Sequence, residues 1–207
     1  MRRASILIAA LVFGATPARA AADPPARITV VAVFSPITFG DNGYVNGQLL
    51  GNAQAGQTVV LEQSTPPTYA DWTPVAQATA DWAGYYSFKV HPTETMQYRT
   101  SSQGYGSERA VQVSVAPRLR LKAQAADRSS IRFSGTIAPA FAGSSVQIQR
   151  QTKSGRWTRV TTARLHGGKT FAGRIRARRP LVLRAFYPAL NPYFAGVSNV
   201  ARASPTP

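Results

Sequence analysis

Basic side chains occupy alternate positions in two segments of the C-terminal part of the chain. Arg118, Arg120 and Lys122 are separated by leucines, and Arg174 and Arg176 are separated by an isoleucine. Successive side chains of a β-strand point to opposite faces, so this spacing predicts strands with a basic outer face and an apolar inner face. A guanidinium group offers paired donors that match a phosphate or a carboxylate. The chemistry indicated is the binding of anions.

The candidate anion-binding residues lie on these segments, on the hairpin between them and in the loop before Pro180. They are Arg156, Arg159, Arg164, Lys169, Arg174, Arg176, Arg178 and Arg179. Because Arg174 and Arg176 share a strand face and Arg159 falls on the neighbouring hairpin, we expect these three to converge on one patch. The alternative is that the arginines reflect composition and only keep the surface soluble.

The charge is distributed unequally along the chain. Residues 23–116 contain 4 Lys/Arg and 7 Asp/Glu, whereas residues 117–207 contain 17 Lys/Arg and 1 Asp/Glu. A compositional bias would have enriched both parts in arginine, so the asymmetry favours an anionic partner for the second part, attracted over about 8–10 Å at physiological salt. The candidate partners are an anionic cell-wall polymer of the teichoic type, an acidic glycan or anionic lipid headgroups. Nucleic acid, bound without sequence specificity, is a further candidate.

No constellation of catalytic residues is recognisable. The two histidines, His91 and His166, have no Gly-x-Ser-x-Gly or similar nucleophile motif beside them. Asp41 and Asp81 are typical of turns, where the carboxylate accepts backbone hydrogen bonds, although a calcium site built from Asp41, Asn42 and Asp81 is an alternative. We expect a non-enzymatic protein without a cofactor or a metal. A secreted enzyme of unknown type is the least favoured alternative.

Aromatic side chains of the first part indicate a second kind of ligand. Trp82 lies inside a predicted turn over residues 81–84 and Tyr85 follows that turn, where both rings could stack on sugars. Trp72 has an equivalent in Trp157, which favours a packing role shared by the two parts. The alternative function is therefore a carbohydrate-binding module in which Trp82 and Tyr85 contact the glycan.

The N-terminus has the features of a signal peptide. Arg2 and Arg3 precede an apolar run over residues 6–13, and Ala18-Arg19-Ala20 fits an A-x-A cleavage site. We expect cleavage after Ala20 and a secreted mature protein, extracellular or associated with the cell envelope. Elsewhere no segment approaches the roughly 18 apolar residues of a transmembrane helix, so none is expected.

An internal repeat predicts two domains. The matched pairs are Trp72 with Trp157, Val75 with Val160, Tyr86 with Phe171, Val90 with Ile175 and Arg99 with Arg184, all at an offset of 85 residues. Upstream, residues 56–63 match residues 143–150, and Gly47 matches Gly135. Matches in a fixed order indicate one structural unit used twice. The predicted organisation is a signal peptide over residues 1–20, domains over residues 21–116 and 117–203, and a disordered tail over residues 204–207.

Apolar residues alternate with a period of two in both repeats, which is typical of strands. The predicted strands lie near residues 28–34, 44–49, 57–63, 72–78, 85–90, 97–102 and 110–115, and near residues 118–123, 130–137, 145–151, 157–163, 170–176, 181–187 and 198–203. Turn residues between short strands indicate β-sandwiches, with Val146 and Ile148 facing inward. Since the chain has no cysteine, each domain must be stabilised by its hydrophobic core rather than by disulfides.

The first repeat also carries a recognisable run of residues. It reads Trp72-x-x-Val75-Ala76-x-Ala78-x-x-Asp81-x-x-Gly84-Tyr85-Tyr86-x-Phe88-x-Val90-x-Pro92, followed by Tyr98-Arg99 and Val111-x-Val113-x-Val115. This run resembles the tandem immunoglobulin-like or fibronectin-III-like modules of secreted high-GC bacterial proteins. The second repeat keeps Gly155-Arg156-Trp157-x-x-Val160 but departs at Gly167-Gly168-Lys169 and at Gly173.

The resemblance implies an all-β protein with two tandem seven-stranded immunoglobulin-like β-sandwich domains after a cleaved signal peptide. It implies no catalytic residues, because such modules serve as adhesins, spacers, carbohydrate-binding appendages and docking domains alike. Together with the charge distribution, it predicts a secreted binding or structural protein whose basic second domain adheres to an anionic cell-envelope polymer.

Overall fold

The computed structural model describes residues 27–51 and 54–206. In this part of the chain, every element of regular secondary structure is a β-strand. The N-terminal half, residues 27–116, contains β1 (Arg27–Val33), β2 (Ile37–Thr38), β3 (Gly43–Leu50), β4 (Thr58–Ser64), β5 (Thr73–Thr79), β6 (Tyr85–Val90), β7 (Met96–Ser102), β8 (Tyr105–Gly106), β9 (Val111–Val113) and β10 (Val115–Ala116). The C-terminal half, residues 117–206, contains β11 (Arg118–Asp127), β12 (Ser130–Ala138), β13 (Ser145–Gln151), β14 (Trp157–Arg164), β15 (Thr170–Arg176), β16 (Leu181–Tyr187), β17 (Gly196–Val197) and β18 (Ala201–Ala203). The all-β prediction is confirmed. The predicted signal peptide lies outside the described residues, and no described segment is a helix long and apolar enough to cross a membrane.

Each half contains a three-stranded sheet and a five-stranded sheet, and the N-terminal half also has a two-stranded parallel sheet of β10 and β2. In the N-terminal half the strand orders are β1-β3-β6 and β5-β4-β7-β8, with β9 also pairing with β7. In the C-terminal half they are β11-β12-β15 and β14-β13-β16-β17, with β18 also pairing with β16. Both sheets of a half turn apolar side chains toward a common core, which is the arrangement of a β-sandwich.

The buried hydrophobic side chains form two clusters, one in each half. Val45 and Leu61 belong to the cluster of the N-terminal half, and both are almost fully buried. Val146 and Ile148 belong to the second cluster and have 0% of their surface exposed. Their inward orientation, predicted from the alternating pattern of β13, is confirmed.

A glycine beneath an aromatic ring marks the same position in both three-stranded sheets. Gly47 of β3 is paired with Tyr86 of β6, and Gly135 of β12 is paired with Phe171 of β15. A Cβ atom on either glycine would lie 2.2 Å from the side chain of its aromatic partner, so only glycine fits there. The strands β3 and β12, and likewise β6 and β15, therefore correspond residue by residue.

A β-bulge marks the corresponding position in both five-stranded sheets. The register of β4 with β5 shifts between Leu61 and Glu62, and that of β13 with β14 shifts between Ile148 and Gln149. The extra residue is a valine each time, since Val75 and Val160 have no partner in the register. An extra residue of this kind bends its strand and increases the twist. The repeated Trp-x-x-Val of the sequence is thus the sequence of this bulge.

The last strand of each half departs from the prediction. The predicted strand near residues 110–115 is divided, because β9 pairs with β7 while β10 pairs in parallel with β2. The predicted strand near residues 198–203 is interrupted at Asn199, whose side-chain amide bonds both the N–H and the carbonyl of Leu121 at 2.9 and 3.0 Å. Beyond β18, Ser204 to Thr206 have no regular structure, and the Thr206 N–H donates to the Asp127 carbonyl.

The two halves contact each other through the loop between β16 and β17. The Phe194 N–H donates to the Val115 carbonyl at 2.8 Å, and the Thr95 N–H donates to the Pro192 carbonyl at 3.3 Å. Tyr193, between these two loop residues, packs against the hydrophobic cluster of the N-terminal half.

Candidate functional site

The outer face of the sheet β11-β12-β15 is basic. Leu119 and Leu121 of β11 and Ile175 of β15 are buried in the core, as the alternating pattern predicts. The exposed basic side chains of the opposite face are Arg120, Lys122, Arg132, Arg174 and Arg176. The sequence had indicated those of β11 and β15, and the pairing of the strands adds Arg132 of β12.

Strand pairing arranges this face in rows, and two of these rows have a basic residue on the edge strand β11 and small residues on β12 and β15. Arg120 lies opposite Thr136, which lies opposite Thr170. The next row consists of Lys122, Ser134 and Ala172. The small central side chains leave a groove of about 530 Å³, here called the basic groove. Its lining residues are Arg120, Lys122, Ser134, Gly135, Thr136, His166, Thr170, Phe171 and Ala172.

Two arginines face each other at one end of this sheet. Arg132 of β12 lies directly opposite Arg174 of β15, a placement of like charges that destabilises a sheet. Asp127 partly compensates, because its Oδ2 lies 3.4 Å from Nη1 of Arg174. The pKa of Asp127 is lowered to about 2, first by the hydrogen bond from the Ser130 hydroxyl and then by that from the Ser129 N–H. This carboxylate is therefore ionised at any physiological pH.

The remaining cations of the face have no acidic partner. Within the described part of the chain, no acid lies within 4.0 Å of Arg120, Lys122, Arg132 or Arg176, since the salt bridges there involve other arginines. An unpaired basic surface of this kind attracts anions and raises their local concentration.

The N-terminal half has a groove at the same position without these charges. It measures about 590 Å³ and is here called the neutral groove. Its lining residues are Thr29, Val31, Asn46, Gly47, Gln48, Ala78, Thr79, Asp81, Tyr85, Tyr86 and Ser87. Thr29 and Val31 lie opposite Gln48 and Asn46, as Arg120 and Lys122 lie opposite the corresponding residues of β12. The two grooves therefore share a floor, while the wall formed by β1 is uncharged and that formed by β11 is basic. Elsewhere in the lining, Asp81 belongs to the first groove and His166 to the second.

The other predicted anion ligands do not belong to the strands of this face. Arg159 and Arg164 belong to β14, at the edge of the five-stranded sheet. Arg156 precedes β14, Lys169 lies in the turn before β15, and Arg178 and Arg179 lie in the loop between β15 and β16. All of these side chains are exposed.

The expectation that Arg159, Arg174 and Arg176 form one patch is wrong. Arg159 lies opposite Gln149 on the five-stranded sheet, whereas Arg174 and Arg176 extend from the three-stranded sheet. The outer faces of the two sheets of a sandwich point in opposite directions. The sequence places β14 next to β15, but the chain crosses from one sheet to the other between them.

The candidate glycan residues lie beside the neutral groove. Trp82 is in the predicted turn with 88% of its surface exposed, and Tyr85 is 56% exposed and lines the groove. The turn is held by Asp81, whose Oδ1 accepts the N–H groups of Ala83 and Tyr85 at 2.9 Å. This role was predicted for Asp81. Asp41 instead accepts a hydrogen bond from Arg118 of the C-terminal half.

An arginine stacked on a tryptophan is repeated in the two five-stranded sheets. The Arg99 guanidinium lies 4.5 Å from the centre of the Trp72 ring, and that of Arg184 lies 4.4 Å from the centre of the Trp157 ring. The shared packing role predicted for Trp72 and Trp157 is this contact. The arginines were not among the candidate residues, although the constant offset of 85 residues relates both members of each pair.

The two histidines have separate surroundings. Nδ1 of His91 lies 3.3 Å from Oδ1 of Asn42, while His166 lines the basic groove. Among the described residues, no group of three or more His, Cys, Asp and Glu side chains is placed to hold a metal ion.

Two comparisons with known proteins give no match. A scan against models of protein families finds none, and a search of the curated proteins finds no significant relative.

Proposed function

We propose that this protein binds an anionic polymer through the outer face of the sheet β11-β12-β15. The observation that carries the proposal is the duplicated groove, whose wall changes from Thr29 and Val31 in one half to Arg120 and Lys122 in the other. If the groove served packing alone, stability would not favour basic residues at these two positions, because exposed charges contribute little to stability.

The arrangement of the cations favours a polymer over a small anion. Arg120 and Lys122 follow one strand, and Arg174 and Arg176 follow another, so each pair presents two charges about 7 Å apart. Positive charges that recur along a β-strand match negative charges that recur along a polymer. The supporting features of the sequence are the signal peptide motif and the positive charge of residues 117–207, from which we propose a secreted protein whose ligand belongs to the cell envelope. Teichoic-type polymers, acidic glycans and anionic lipid headgroups share this chemistry.

The test is the salt dependence of binding by the full mature chain. We expect binding to immobilised heparin and to a teichoic-type polymer, with affinity that falls steeply as salt rises because bound counterions are released. The variant Arg120→Gln/Lys122→Gln/Arg174→Gln/Arg176→Gln should flatten the slope of log affinity against log salt by about 3, at roughly 0.7–0.9 per contact. Its thermal stability should remain near that of the wild type.

The control removes the same charge from loops. The variant Lys153→Gln/Arg156→Gln/Arg178→Gln/Arg179→Gln should keep most of the wild-type slope. Equal losses in both variants would show that net charge, and not the outer face of the sheet β11-β12-β15, controls binding. If the wild-type protein binds neither polymer at low salt, the proposal is refuted.

A second candidate function is the binding of a neutral glycan in the neutral groove. It is favoured by the exposed ring of Tyr85 beside the amides of Asn46 and Gln48, since sugar sites combine an aromatic surface with a few polar groups. Such binding should persist at high salt and should be lost in Tyr85→Ala but not in Tyr105→Ala, which removes an equally exposed ring. Retention of binding in Tyr85→Ala would exclude this groove.

A further inference from the structure

In the N-terminal half, the stacked arginine is neutralised by an acid of its own sheet. Arg99 lies over Trp72, its Nε donates to Oε2 of Glu62 at 2.9 Å and its Nη2 donates to Oε1 at 3.2 Å. Two parallel bonds from one guanidinium to one carboxylate are the geometry that arginine favours for this anion. Opposite Glu62 on the other side lies Pro74. The row Pro74, Glu62 and Arg99 therefore carries no net charge.

In the C-terminal half, the corresponding row contains no acid and one additional base. Gln149, at the same bulge as Glu62, accepts a hydrogen bond from Nε of Arg184 at 2.9 Å. Opposite Gln149 on the other side lies Arg159. The row Arg159, Gln149 and Arg184 therefore carries two positive charges, and no acid within the described residues forms a salt bridge with either arginine.

The Arg184 guanidinium is held in place although it lacks a counterion. Gln149 fixes its Nε and Trp157 lies beneath its plane, so the group is pre-organised and loses little freedom when it binds an anion. The side chain is half-buried, and this burial lowers the pKa of Arg184. A partly desolvated cation without an acid beside it is stabilised by an anion from outside the chain.

We propose that a carboxylate of an acidic glycan binds between Arg159 and Arg184, beside the Gln149 amide that stands where the other half has the Glu62 carboxylate. The inference rests on the proposed binding of anionic polymers and extends it to a second face of the C-terminal half. The ligand class follows from the internal example, because the N-terminal half shows a carboxylate paired with a stacked arginine of this kind. The glycan carboxylate would use the Nη groups of Arg184, since Nε is engaged by Gln149.

The decisive variant is Gln149→Glu in the full mature chain. The new carboxylate should pair with Arg184 as Glu62 does with Arg99. It would then compete with the glycan carboxylate for the same guanidinium. We expect at least a tenfold loss of affinity for hyaluronan, a carboxylated and unsulfated glycan, with thermal stability equal to or above that of the wild type. Binding of a teichoic-type phosphate polymer to the opposite face should change much less.

The matched control is Gln147→Glu, which adds the same charge to the same strand. Gln147 lies opposite Phe186 on β16 and Thr162 on β14, so its row contains no arginine. Its Oε1 accepts a hydrogen bond from Nε2 of Gln149 at 3.4 Å, and a carboxylate at position 147 keeps this acceptor. Hyaluronan affinity should stay close to the wild-type value in this variant. Equal losses in Gln147→Glu and Gln149→Glu would overturn the site, and so would wild-type affinity in Gln149→Glu.

A transplanted site gives an independent test. On the Gln149→Glu background, Glu62→Gln with Pro74→Arg recreates the charged row in the N-terminal half, and we expect hyaluronan binding to return. Failure of binding to return, in a variant that melts cooperatively, would count against the site. If the wild type binds the phosphate polymer but not hyaluronan, the carboxylate site is refuted while the proposed function stands. If it binds neither polymer, both fail.

Discussion

Asp127 is the only acid among the seventeen bases of residues 117–207, and its surroundings keep it ionised. Its Oδ2 accepts the Ser130 hydroxyl at 2.6 Å, its Oδ1 accepts the Ser129 N–H at 2.8 Å, and Arg174 lies nearby. Together these contacts lower its pKa from 3.8 to about 2. A lowered pKa means that the folded state prefers the carboxylate, so this stabilisation is complete above the unfolded-state pKa and is lost as pH falls through about 2.

We predict that Ser130→Ala raises the pKa of Asp127 more than Arg174→Gln does. The hydroxyl bond is the largest cause of the lowering and the guanidinium is the smallest. Titration of the carboxyl carbon by NMR in wild type and both variants measures the order directly. A larger rise in Arg174→Gln would show that the ion pair, and not the local turn, controls this carboxylate.

At the scale of the elements, the alternation of apolar residues was sufficient to predict the long strands, because a strand with one buried face imposes a period of two. The two-residue strands β2, β8 and β17 were missed, since two residues show no period. The arginine–tryptophan pairs were missed for a different reason. Trp157 and Arg184 lie on strands that do not adjoin in the sheet, and only the strand order brings them together.

An exchange of aromatic rings explains one of the two departures of the second repeat from the first, the one at Gly173. In the N-terminal half Val45 of β3 pairs with Phe88 of β6, whereas in the C-terminal half Phe133 of β12 pairs with Gly173 of β15. The aromatic ring at this point of the core therefore comes from β6 in the N-terminal half and from β12 in the C-terminal half. Without knowledge of the pairing, Gly173 had the appearance of a lost core residue, although its partner supplies the volume.

We predict that Gly173→Ala destabilises the protein by about 1–3 kcal/mol, as overpacking of a filled core does. The added Cβ would lie 2.5 Å from Cζ of Phe133. Because Phe133→Val removes the obstructing ring, the same glycine substitution should cost much less on that background, which a double-mutant cycle of chemical denaturation would measure. Additive effects of the two changes would contradict this packing.

At the scale of the whole molecule, the loop that carries Tyr193 joins the halves more firmly than the ion pair between Arg118 and Asp41. The ion pair is 37% and 53% exposed, and exposed pairs contribute about 0–1 kcal/mol. Tyr193 instead packs on the N-terminal core, with Phe141 of its own half at 5.1 Å between ring centres.

We therefore predict that Tyr193→Ala loosens the junction and that Arg118→Gln, which removes the ion pair and the hydrogen bond from Arg118 Nε to the Phe39 carbonyl at 2.9 Å, loosens it much less. Small-angle X-ray scattering should show a larger radius of gyration for Tyr193→Ala alone, and amide exchange of Phe194, which bonds to Val115 across the junction, should accelerate. The reverse order of the two variants would assign the junction to the ion pair.

The placement of Arg159 and Arg174 on opposite sheets has a consequence for the proposed binding of polymers. A sandwich that binds anions on both outer faces is divalent, and each molecule can hold two polymer strands on either side of its own thickness. Linkage of this kind strengthens the attachment without any new contact. The proposed sites would also make the protein a cross-linker. At low ratios of protein to polymer, the polymer chains would be cross-linked into a network. At high ratios each polymer chain would be coated separately and the network would dissolve.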